Sequence, residues 1–272
     1  MMRKMKGMLG VFAALLILLL AACGSNGMNS KEAGAQKQAE GSGVLEKVKS
    51  AGVMNVGIEG AYPPFNYFNN KNELEGFDVD ITNEIAKRMG IKANFVATPW
   101  DTIIGGLLSK KYDMILSSMA ITEERLKKVD FTEPYYHTGA QLFAPSSSNI
   151  TDPTKINGKR VGVSIGTTFE KKANELGAEM VTYKNDLLAF QDLANGRIDG
   201  VITDKGVGAR MIKEKGYPFK PIGDMLYKDK AGIALNKKEE AFKNELNKHL
   251  KDMLEDGTYE KISKKWFNED IR

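Results

Sequence analysis

Residues 117–125, with the sequence SSMAITEER, bring small side chains, hydroxyls and one arginine together directly after an apolar run. Thr122 is a suitable helix N-cap, and two glutamates follow it in the first turn of the helix that it would begin. The small residues before it leave main-chain donors open to a ligand, and the guanidinium of Arg125 adds a planar donor pair that matches a carboxylate. The segment therefore predicts a carboxylate receptor. The alternative is a surface arginine that pairs with its neighbouring glutamates.

An internal similarity predicts a second contribution to the same site. The sequence LLSKKYDMILSS around Asp113 resembles LANGRIDGVITD around Asp199. In this register Ser118 corresponds to Asp204, so each half of the chain places a polar residue at the carboxyl end of a strand, where open α/β sheets bind ligands. The alternative is a chance similarity between two short helix-turn-strand units.

The elements that would position these residues alternate along the chain. Strands are predicted at 54–58, 93–97, 114–116, 160–163 and 200–202, and helices at 78–89, 100–109, 169–176 and 187–194. This alternation indicates βαβ units and mostly parallel sheets, so the predicted fold class is α/β. The last forty residues predict one further amphipathic helix that ends at Gly257.

The beginning of the chain predicts export and a lipid anchor. Three basic residues precede the apolar run 8–20, which is too short to cross a bilayer comfortably. The run ends in LAACG, which resembles the lipobox of bacterial lipoproteins, and Cys23 is the only cysteine of the chain. A lone cysteine excludes an intramolecular disulfide, and here it predicts lipidation. Residues 1–22 would be the signal peptide, and the polar residues 23–43 a disordered tether.

Composition excludes several classes of function. The formal charge of +4 falls to +1 when residues 1–22 are removed, because only basic residues are lost. The remaining charges are interspersed, so no nucleic-acid surface is expected. Two distant histidines and one cysteine at the processing site predict no metal centre. No phosphate-binding motif of the Walker type is present, and no cofactor is expected.

Six segments, taken in order, resemble the polar amino-acid binding lipoproteins of bacterial ABC importers, the extracellular solute-binding proteins of family 3. They are GIEGAYPPFNYF, LEGFDVDI, WDTIIGGLLSKKYDMILSSMAITEERLKKVDFTEPYY, VGVSIGTTFE, GRIDGVITD and DGTYEKISKKWF. The resemblance implies a two-lobed, type II periplasmic-binding-protein-like fold whose lobes each hold a mixed, mostly parallel sheet flanked by helices, and a hinge closure around the ligand. We expect lobe 1 at 44–140 plus 230–272, lobe 2 at 141–229, and crossovers near 138–144 and 226–232.

The resemblance also implies a function. The chain would capture a polar L-amino acid outside the cell and deliver it to a transmembrane permease with its cytoplasmic ATPase. It would be a monomer held at the outer face of the cell membrane by the lipid on Cys23, and it would not be an enzyme.

The same resemblance implies the residues of the site. Arg125 would bind the ligand α-carboxylate with help from Ser118 and Thr168, while Asp204 would bind the α-ammonium. A zwitterion stripped of water needs an opposite charge at each end. Position 120 is often a hydroxyl residue in relatives and is alanine here, so only its main chain could contribute. The expected ligand-binding residues are Glu59, Tyr62, Asp78, Trp100, Ser117, Ser118, Ala120, Arg125, Ser164, Thr168 and Asp204.

The ligand side chain is the least constrained expectation. In relatives that bind basic amino acids, carboxylates at the positions of Glu59 and Asp78 face the distal cation, which favours arginine, lysine, ornithine or histidine. Tyr62 and Trp100 match positions that flank the ligand side chain, although both could be core residues. Asp78 could instead only begin a helix, and Glu59 could bind backbone. Glutamine or cystine would then be as suitable.

Two enzyme classes were compared with the receptor. Residues 162–166 match G-x-S-x-G with Ser164 as a nucleophile, but that motif needs a later histidine, and only His249 follows. We therefore interpret Gly166, Thr167 and Thr168 as a second ligand-facing helix N-terminus. A same-fold dehydratase would need an acid such as Glu59 placed for proton transfer, and the predicted tether favours capture and delivery instead.

Overall fold

The computed structural model describes residues 43–272. Its helices are α1 Val44–Ala51, α2 Phe77–Arg88, α3 Trp100–Leu108, α4 Glu123–Leu126, α5 Thr168–Glu175, α6 Asp186–Ala194, α7 Lys205–Lys215, α8 Glu240–Glu255 and α9 Thr258–Phe267. Its strands are β1 Val53–Ile58, β2 Ala61–Tyr62, β3 Asn66–Phe68, β4 Leu74–Glu75, β5 Lys92–Ala97, β6 Met114–Ile115, β7 Asp130–Phe131, β8 Tyr136–Pro145, β9 Arg160–Ser164, β10 Glu179–Tyr183, β11 Gly200–Asp204, β12 Phe219–Ala231 and β13 Ala234–Leu235. The predicted signal peptide, Cys23 and all of the predicted tether except Gly43 lie outside the described residues.

Two five-stranded sheets of the same design form the framework. Their strand orders are β5-β1-β6-β13-β7 and β10-β9-β11-β8-β12, and a small third sheet has the order β2-β3-β4. The first three strands of each large sheet pair in parallel, and the fourth strand pairs antiparallel with both of its neighbours. Four strands of each sheet therefore run in one direction. The sheets are mixed and mostly parallel, as the sequence predicted.

The internal similarity corresponds to matching contacts. The carboxylate of Asp113 accepts the backbone N–H of Asn55 at 2.8 Å, and that of Asp199 accepts the backbone N–H of Arg160 at the same distance. Each aspartate also donates its own N–H to the carbonyl of that partner, at 2.9 and 2.7 Å. Each aspartate thus ties the start of one strand to its neighbour, β6 to β1 and β11 to β9. The similarity noticed in the sequence is confirmed as a repeated structural unit.

Two long antiparallel strands run from one sheet towards the other. β8 pairs with β12 from Tyr136 opposite Ala231 to Pro145 opposite Phe219. At the first end, Tyr135 donates its N–H to the carbonyl of Ala231 at 2.9 Å, close to where β12 leads into β13. These strands pass through both predicted crossovers. The lobe boundaries themselves remain predictions.

The end of the chain differs from the single helix expected there. The helix α8 ends at Glu255, and Gly257, with a φ of 78°, is the N-cap of a second helix, α9. Glycine adopts this left-handed conformation without steric cost, so the residue predicted as a stop also begins the next element. α9 carries Phe267 back to Phe65 and Phe77, with ring centroids 5.1 and 5.4 Å apart.

None of the helices within residues 43–272 is both long enough and apolar enough to span a membrane.

Candidate functional site

A cavity lies where the two large sheets meet. Four strands end at it: Glu59 follows β1, Ser118 follows β6, Ser164 ends β9 and Asp204 ends β11. The carboxyl ends of parallel strands are the usual position of ligands in open α/β sheets. The cavity contains about 560 Å³ of space free of protein atoms, counted out to the solvent at its opening. Its walls are Glu59, Tyr62, Trp100, Ser117, Ser118, Ala120, Arg125, Tyr136, Thr138, Gly139, Ser164, Thr167, Thr168, Phe169, Asp204, Asp229, Lys230 and Ala231.

Ten of the eleven residues expected to bind a ligand line this cavity, and Asp78 does not. Asp78 lies in the first turn of α2 with no exposed surface. Its carboxylate accepts hydrogen bonds from Asn66 at 2.7 Å, Ser118 at 2.9 Å and Tyr135 at 2.7 Å. The expectation that Asp78 faces a ligand cation is therefore wrong: the carboxylate points into the protein and accepts three hydrogen bonds there.

The Asp78 network also changes the role expected for Ser118. The Ser118 hydroxyl donates to Asp78, and the Ser118 N–H donates to the Tyr135 hydroxyl at 3.0 Å. A serine has one hydroxyl proton, so Ser118 can offer the cavity only acceptor lone pairs while these bonds are kept. Such a group suits an ammonium and cannot donate to a carboxylate. Burial raises the pKa of Asp78 to about 7, although its three donors oppose the rise.

Arg125 is placed by a short capped helix. Thr122 accepts the Arg125 N–H at 3.2 Å, which confirms the predicted N-cap. The guanidinium donates to the carbonyls of Ala120 at 2.9 Å and Gly166 at 3.4 Å. Because a guanidinium has five N–H groups, donors remain for a ligand. Burial lowers the pKa of Arg125, and the nearby Asp229 carboxylate opposes that change.

A second set of donors for an anion comes from the start of α5. Thr167 caps this helix by accepting the N–H of Glu170 at 3.2 Å, and both Thr167 and Thr168 line the cavity. The first N–H groups of a helix have no partner within it and carry partial positive charge. Arg125 and the start of α5 thus supply positive groups from the two sheets.

Asp204 supplies a negative charge at the end of β11. It is the N-cap of α7 and accepts the N–H of Gly206 at 2.6 Å. Burial raises the pKa of Asp204 to about 7, with Asp186 adding to the rise and the backbone donors opposing it. A buried carboxylate with this pKa gains from a cationic partner, so the position can bind an ammonium group.

Glu59 is a further acid in the wall, and its charge is disfavoured. Burial, with a further contribution from the Asp186 carboxylate, raises the pKa of Glu59 to about 8. Its backbone N–H donates to the Ser117 hydroxyl at 3.0 Å. The side chain keeps part of its surface open. A cationic ligand group near Glu59 would stabilise the ionised carboxylate, which burial and Asp186 disfavour.

Aromatic rings enclose the cavity. Trp100, at the start of α3, lies under the Arg125 guanidinium at 5.2 Å from its ring centroid and donates its indole N–H to Gly166 at 3.3 Å. Tyr62 stacks on Phe65 with centroids 5.6 Å apart. Both expected aromatic residues line the cavity, but each also packs against protein. Trp100 in particular orients Arg125.

Several cavity residues were not predicted from the sequence. Tyr136, Thr138, Asp229 and Lys230 come from β8 and β12, the two strands that connect the sheets. The predicted crossovers covered three of these positions, but no residue within them was selected. Asp229 is the most informative omission, because Thr168 donates to it at 3.5 Å and its charge favours ionised Arg125. The sequence feature that could have identified Asp229 is an acidic residue within a predicted crossover.

The G-x-S-x-G motif is not accompanied by a base. Ser164 lines the cavity and donates its hydroxyl to Asp186. His249 lies in α8, buried beside Glu245 and Asp252, and is not part of the cavity wall. The nucleophile and the histidine that a hydrolase would need are therefore not brought together. Among residues 43–272, no cluster of three or more His, Cys, Asp or Glu side chains could hold a metal ion.

A contact outside the cavity joins the small sheet to the second large one. Arg210 of α7 donates to the Tyr67 hydroxyl of β3 at 2.9 Å and lies over the Tyr67 ring at 5.5 Å. Tyr67 in turn donates to Glu75 at 2.6 Å. Together with the Trp100 and Arg125 bonds to Gly166, this contact connects the two sides of the cleft.

We expect Arg210→Ala to weaken binding of every ligand by one common factor of about 3 to 10, because it removes a bond of the closed form without touching the cavity. Calorimetric titration with two unlike amino acids measures the factor for each. Tyr67→Phe, which keeps the ring and loses the hydroxyl, should show a smaller common loss. A loss confined to one ligand would contradict this interpretation.

Comparison with known proteins adds to this geometry. Residues 54–269 match the family described as bacterial extracellular solute-binding proteins, family 3. The chain is similar to the L-cystine-binding protein TcyJ of Escherichia coli, with 34% identity over 233 residues, 84% of this chain and 88% of TcyJ. It is 35% identical over 236 residues to the histidine-binding periplasmic protein of the same species, covering 80% of this chain and 88% of the relative. An ancestral arginine-binding protein bound to arginine has a TM-score of 0.76 and 36% identity, covering 79% of this chain and 98% of its own. These relatives bind solutes and are not described as enzymes, and the predicted two-lobed α/β fold is confirmed.

Proposed function

Because the chain belongs to the bacterial extracellular solute-binding proteins of family 3, we propose that it captures one polar L-amino acid in the cavity between the sheets and delivers it to the permease of an ABC importer. The permease and its ATPase are the partners that the predicted function requires. The predicted lipid on Cys23 would hold the protein, as a monomer, at the outer face of the cell membrane.

The charges of the cavity support recognition of an α-amino acid. Arg125 and the start of α5 offer donors for the α-carboxylate, and Ala120 contributes only its main chain. Asp204 offers a carboxylate for the α-ammonium, with Ser118 as an additional acceptor. Each charged end of a buried zwitterion thereby has an opposite charge, which offsets the cost of removing it from water.

The observation that carries the choice of ligand is the presence of the Glu59 carboxyl group in the cavity wall. Once Arg125 and Asp204 are assigned to the zwitterion, Glu59 remains as a wall carboxyl whose charge is opposed by burial and by Asp186. A ligand with a cationic side chain would stabilise that charge, and a neutral one would not. We therefore propose arginine, lysine, ornithine or histidine as the ligand class. Relatives named for histidine and arginine are consistent with this choice.

Cystine is the second candidate. The similarity to an L-cystine-binding protein extends over 84% of the chain. Cystine carries a second ammonium group that could approach Glu59, but its second carboxylate would then need a donor near the same end. Glutamine is the neutral alternative and would meet Glu59 in its protonated form.

A thermal-shift screen of the twenty amino acids and cystine identifies the ligand, because a compound that binds only the folded state raises the melting temperature. Competition among arginine, lysine, glutamine and cystine is then measured on wild type and on Glu59→Gln. We expect a basic amino acid to win on wild type and to lose about tenfold in affinity on Glu59→Gln, while glutamine changes little. Asp229→Asn, which alters a wall carboxyl next to Arg125, is the matched control and should not change the order of basic and neutral ligands. If a neutral ligand wins and Glu59→Gln leaves the order unchanged, the basic class is wrong.

A further inference from the structure

Asp186 is a carboxylate behind the cavity wall that no part of the site so far explains. It is the first residue of α6, it is only 1% exposed, and it is not among the lining residues. The Ser164 hydroxyl donates to one of its oxygens and the Thr203 hydroxyl to the other. Burial raises the pKa of Asp186, and the two hydroxyl donors oppose the rise.

These bonds determine what Ser164 can offer a ligand. Ser164 lines the cavity, and its single hydroxyl proton is already given to Asp186. Its oxygen can therefore only accept hydrogen bonds from the cavity. Thr203 is fully buried, so its bond serves to hold Asp186 in place.

Asp186 also acts on Glu59. Among the charged groups around Glu59, it is Asp186 that disfavours the Glu59 carboxylate, although Glu59 follows β1 of one large sheet and Asp186 begins α6, which packs on the other. The other titratable groups of this region meet at Tyr62, whose pKa is raised by burial first and then by Asp204, Asp186, Tyr136 and Glu59. The cavity lined by Glu59 and Ser164 thus contains an acceptor hydroxyl and lies within the influence of the Asp186 carboxylate.

We propose that Asp186 is a positioning residue that determines specificity: it fixes the Ser164 hydroxyl as an acceptor towards the cavity and adds a negative charge behind the cavity wall, so that the cavity requires a cationic, N–H-donating ligand group. The inference rests on the proposed function. It adds a residue that does not touch the ligand and acts through Ser164 and Glu59.

Asp186→Asn tests the inference, with arginine and glutamine as probes. Asparagine keeps the shape, loses the charge and donates to one of the two hydroxyls, which frees a hydroxyl proton. We expect arginine to lose about tenfold in affinity and glutamine to change by less than about twofold. The double variant Asp186→Asn/Ser164→Ala should lose little beyond Asp186→Asn, because residues that act together are not additive.

A pH profile separates this role from a purely structural one. On wild type, ionisation of Asp204 should raise the affinity for arginine and glutamine alike, while the ratio of arginine to glutamine affinity should rise between about pH 6.5 and 8.5, as Glu59 loses its proton. On Asp186→Asn the rise should move to lower pH, because one of the two causes that raise the Glu59 pKa is removed. Asp199→Asn is the control: it changes a carboxylate that directly precedes β11 and does not line the cavity, so it should leave both the profile and the arginine-to-glutamine ratio unchanged.

The outcomes distinguish this inference from the proposed function. Wild type that binds none of the twenty amino acids nor cystine would refute the proposed function itself. Wild type that binds an amino acid, while Asp186→Asn weakens arginine and glutamine equally or leaves the pH profile in place, would overturn the inference alone. A wild-type preference for glutamine would overturn both the inference and the proposed basic ligand class. If Asp186→Asn does not fold, Ser164→Ala decides: it should reduce the preference for arginine over glutamine by at least about threefold, and an unchanged preference contradicts the role of Asp186.

Discussion

Arg125→Ala should weaken the binding of every amino acid by about 2–5 kcal/mol, because it leaves the ligand α-carboxylate buried without its charged partner. The loss should be shared by basic and neutral ligands, since the α-carboxylate is common to all of them. Part of it will come from closure, because the Arg125 guanidinium also bonds to Gly166 across the cleft. Calorimetric titration with two ligands measures the loss.

Arg125→Lys is the matched control for this prediction. Lysine keeps the positive charge and loses the planar pair of donors, so we expect an intermediate affinity. The free energy of unfolding of the ligand-free protein should change by less than about 1 kcal/mol in both variants, because Arg125 is partly exposed. An affinity within about twofold of wild type for Arg125→Ala would mean that the carboxylate binds elsewhere.

Asp204→Asn should also weaken binding by about 2–5 kcal/mol, because the ligand α-ammonium loses its counter-charge. The substitution is chosen because Asp204 caps α7 through the N–H of Gly206. Asparagine can keep that bond, whereas Asp204→Ala would also cost about 1 kcal/mol of folding stability. Ligand affinities measured on both variants separate the contribution of the Asp204 charge from that of the helix cap.

The ligand-free stability of Asp204→Asn should depend on pH in a defined direction. The pKa of Asp204 is raised in the folded state to about 7, so wild type loses stability as pH rises from about 4 towards 7 and the buried carboxyl must ionise. Asparagine removes that loss. We therefore expect the free energy of unfolding of Asp204→Asn, relative to that of wild type, to increase from pH 5 to pH 8 in denaturant titrations. A difference that does not depend on pH would contradict this account of Asp204.

The sequence predicted the elements whose signals are local. The strands β1, β5 and β9 and the helices α3 and α5 begin and end within one or two residues of the predicted positions, because apolar periodicity and caps such as Thr122 act over a few residues. The helix α7 was missed, since KGVGARMIKEK contains two glycines, which disfavour a helix interior. The segment forms a helix because it packs against β8, β11 and β12.

The site residues that could be predicted are those that lie at strand ends or match the family motifs. Ser118 and Asp204 follow from their positions at the ends of strands, whereas Glu59 and Ser164 were assigned through the family resemblance. Asp78 could not be assigned correctly, because a first-turn carboxylate suits a helix whether it faces a cavity or the interior. The donors that turn it inward, Asn66 and Tyr135, are separated from it by 12 and 57 residues. Asp186 was not predicted at all: the helix was expected to begin one residue later, at 187, and nothing local marks Asp186 as a partner of Ser164.

The measurement that tests the central claim most directly is a crystal structure of the protein with the amino acid selected by the screen. We predict one ligand in the cavity, its α-carboxylate within hydrogen-bond distance of the Arg125 guanidinium and the first N–H groups of α5, and its α-ammonium at Asp204. The side chain should extend towards Glu59. A ligand bound in the reverse orientation, or outside the cleft between the two sheets, would contradict the account.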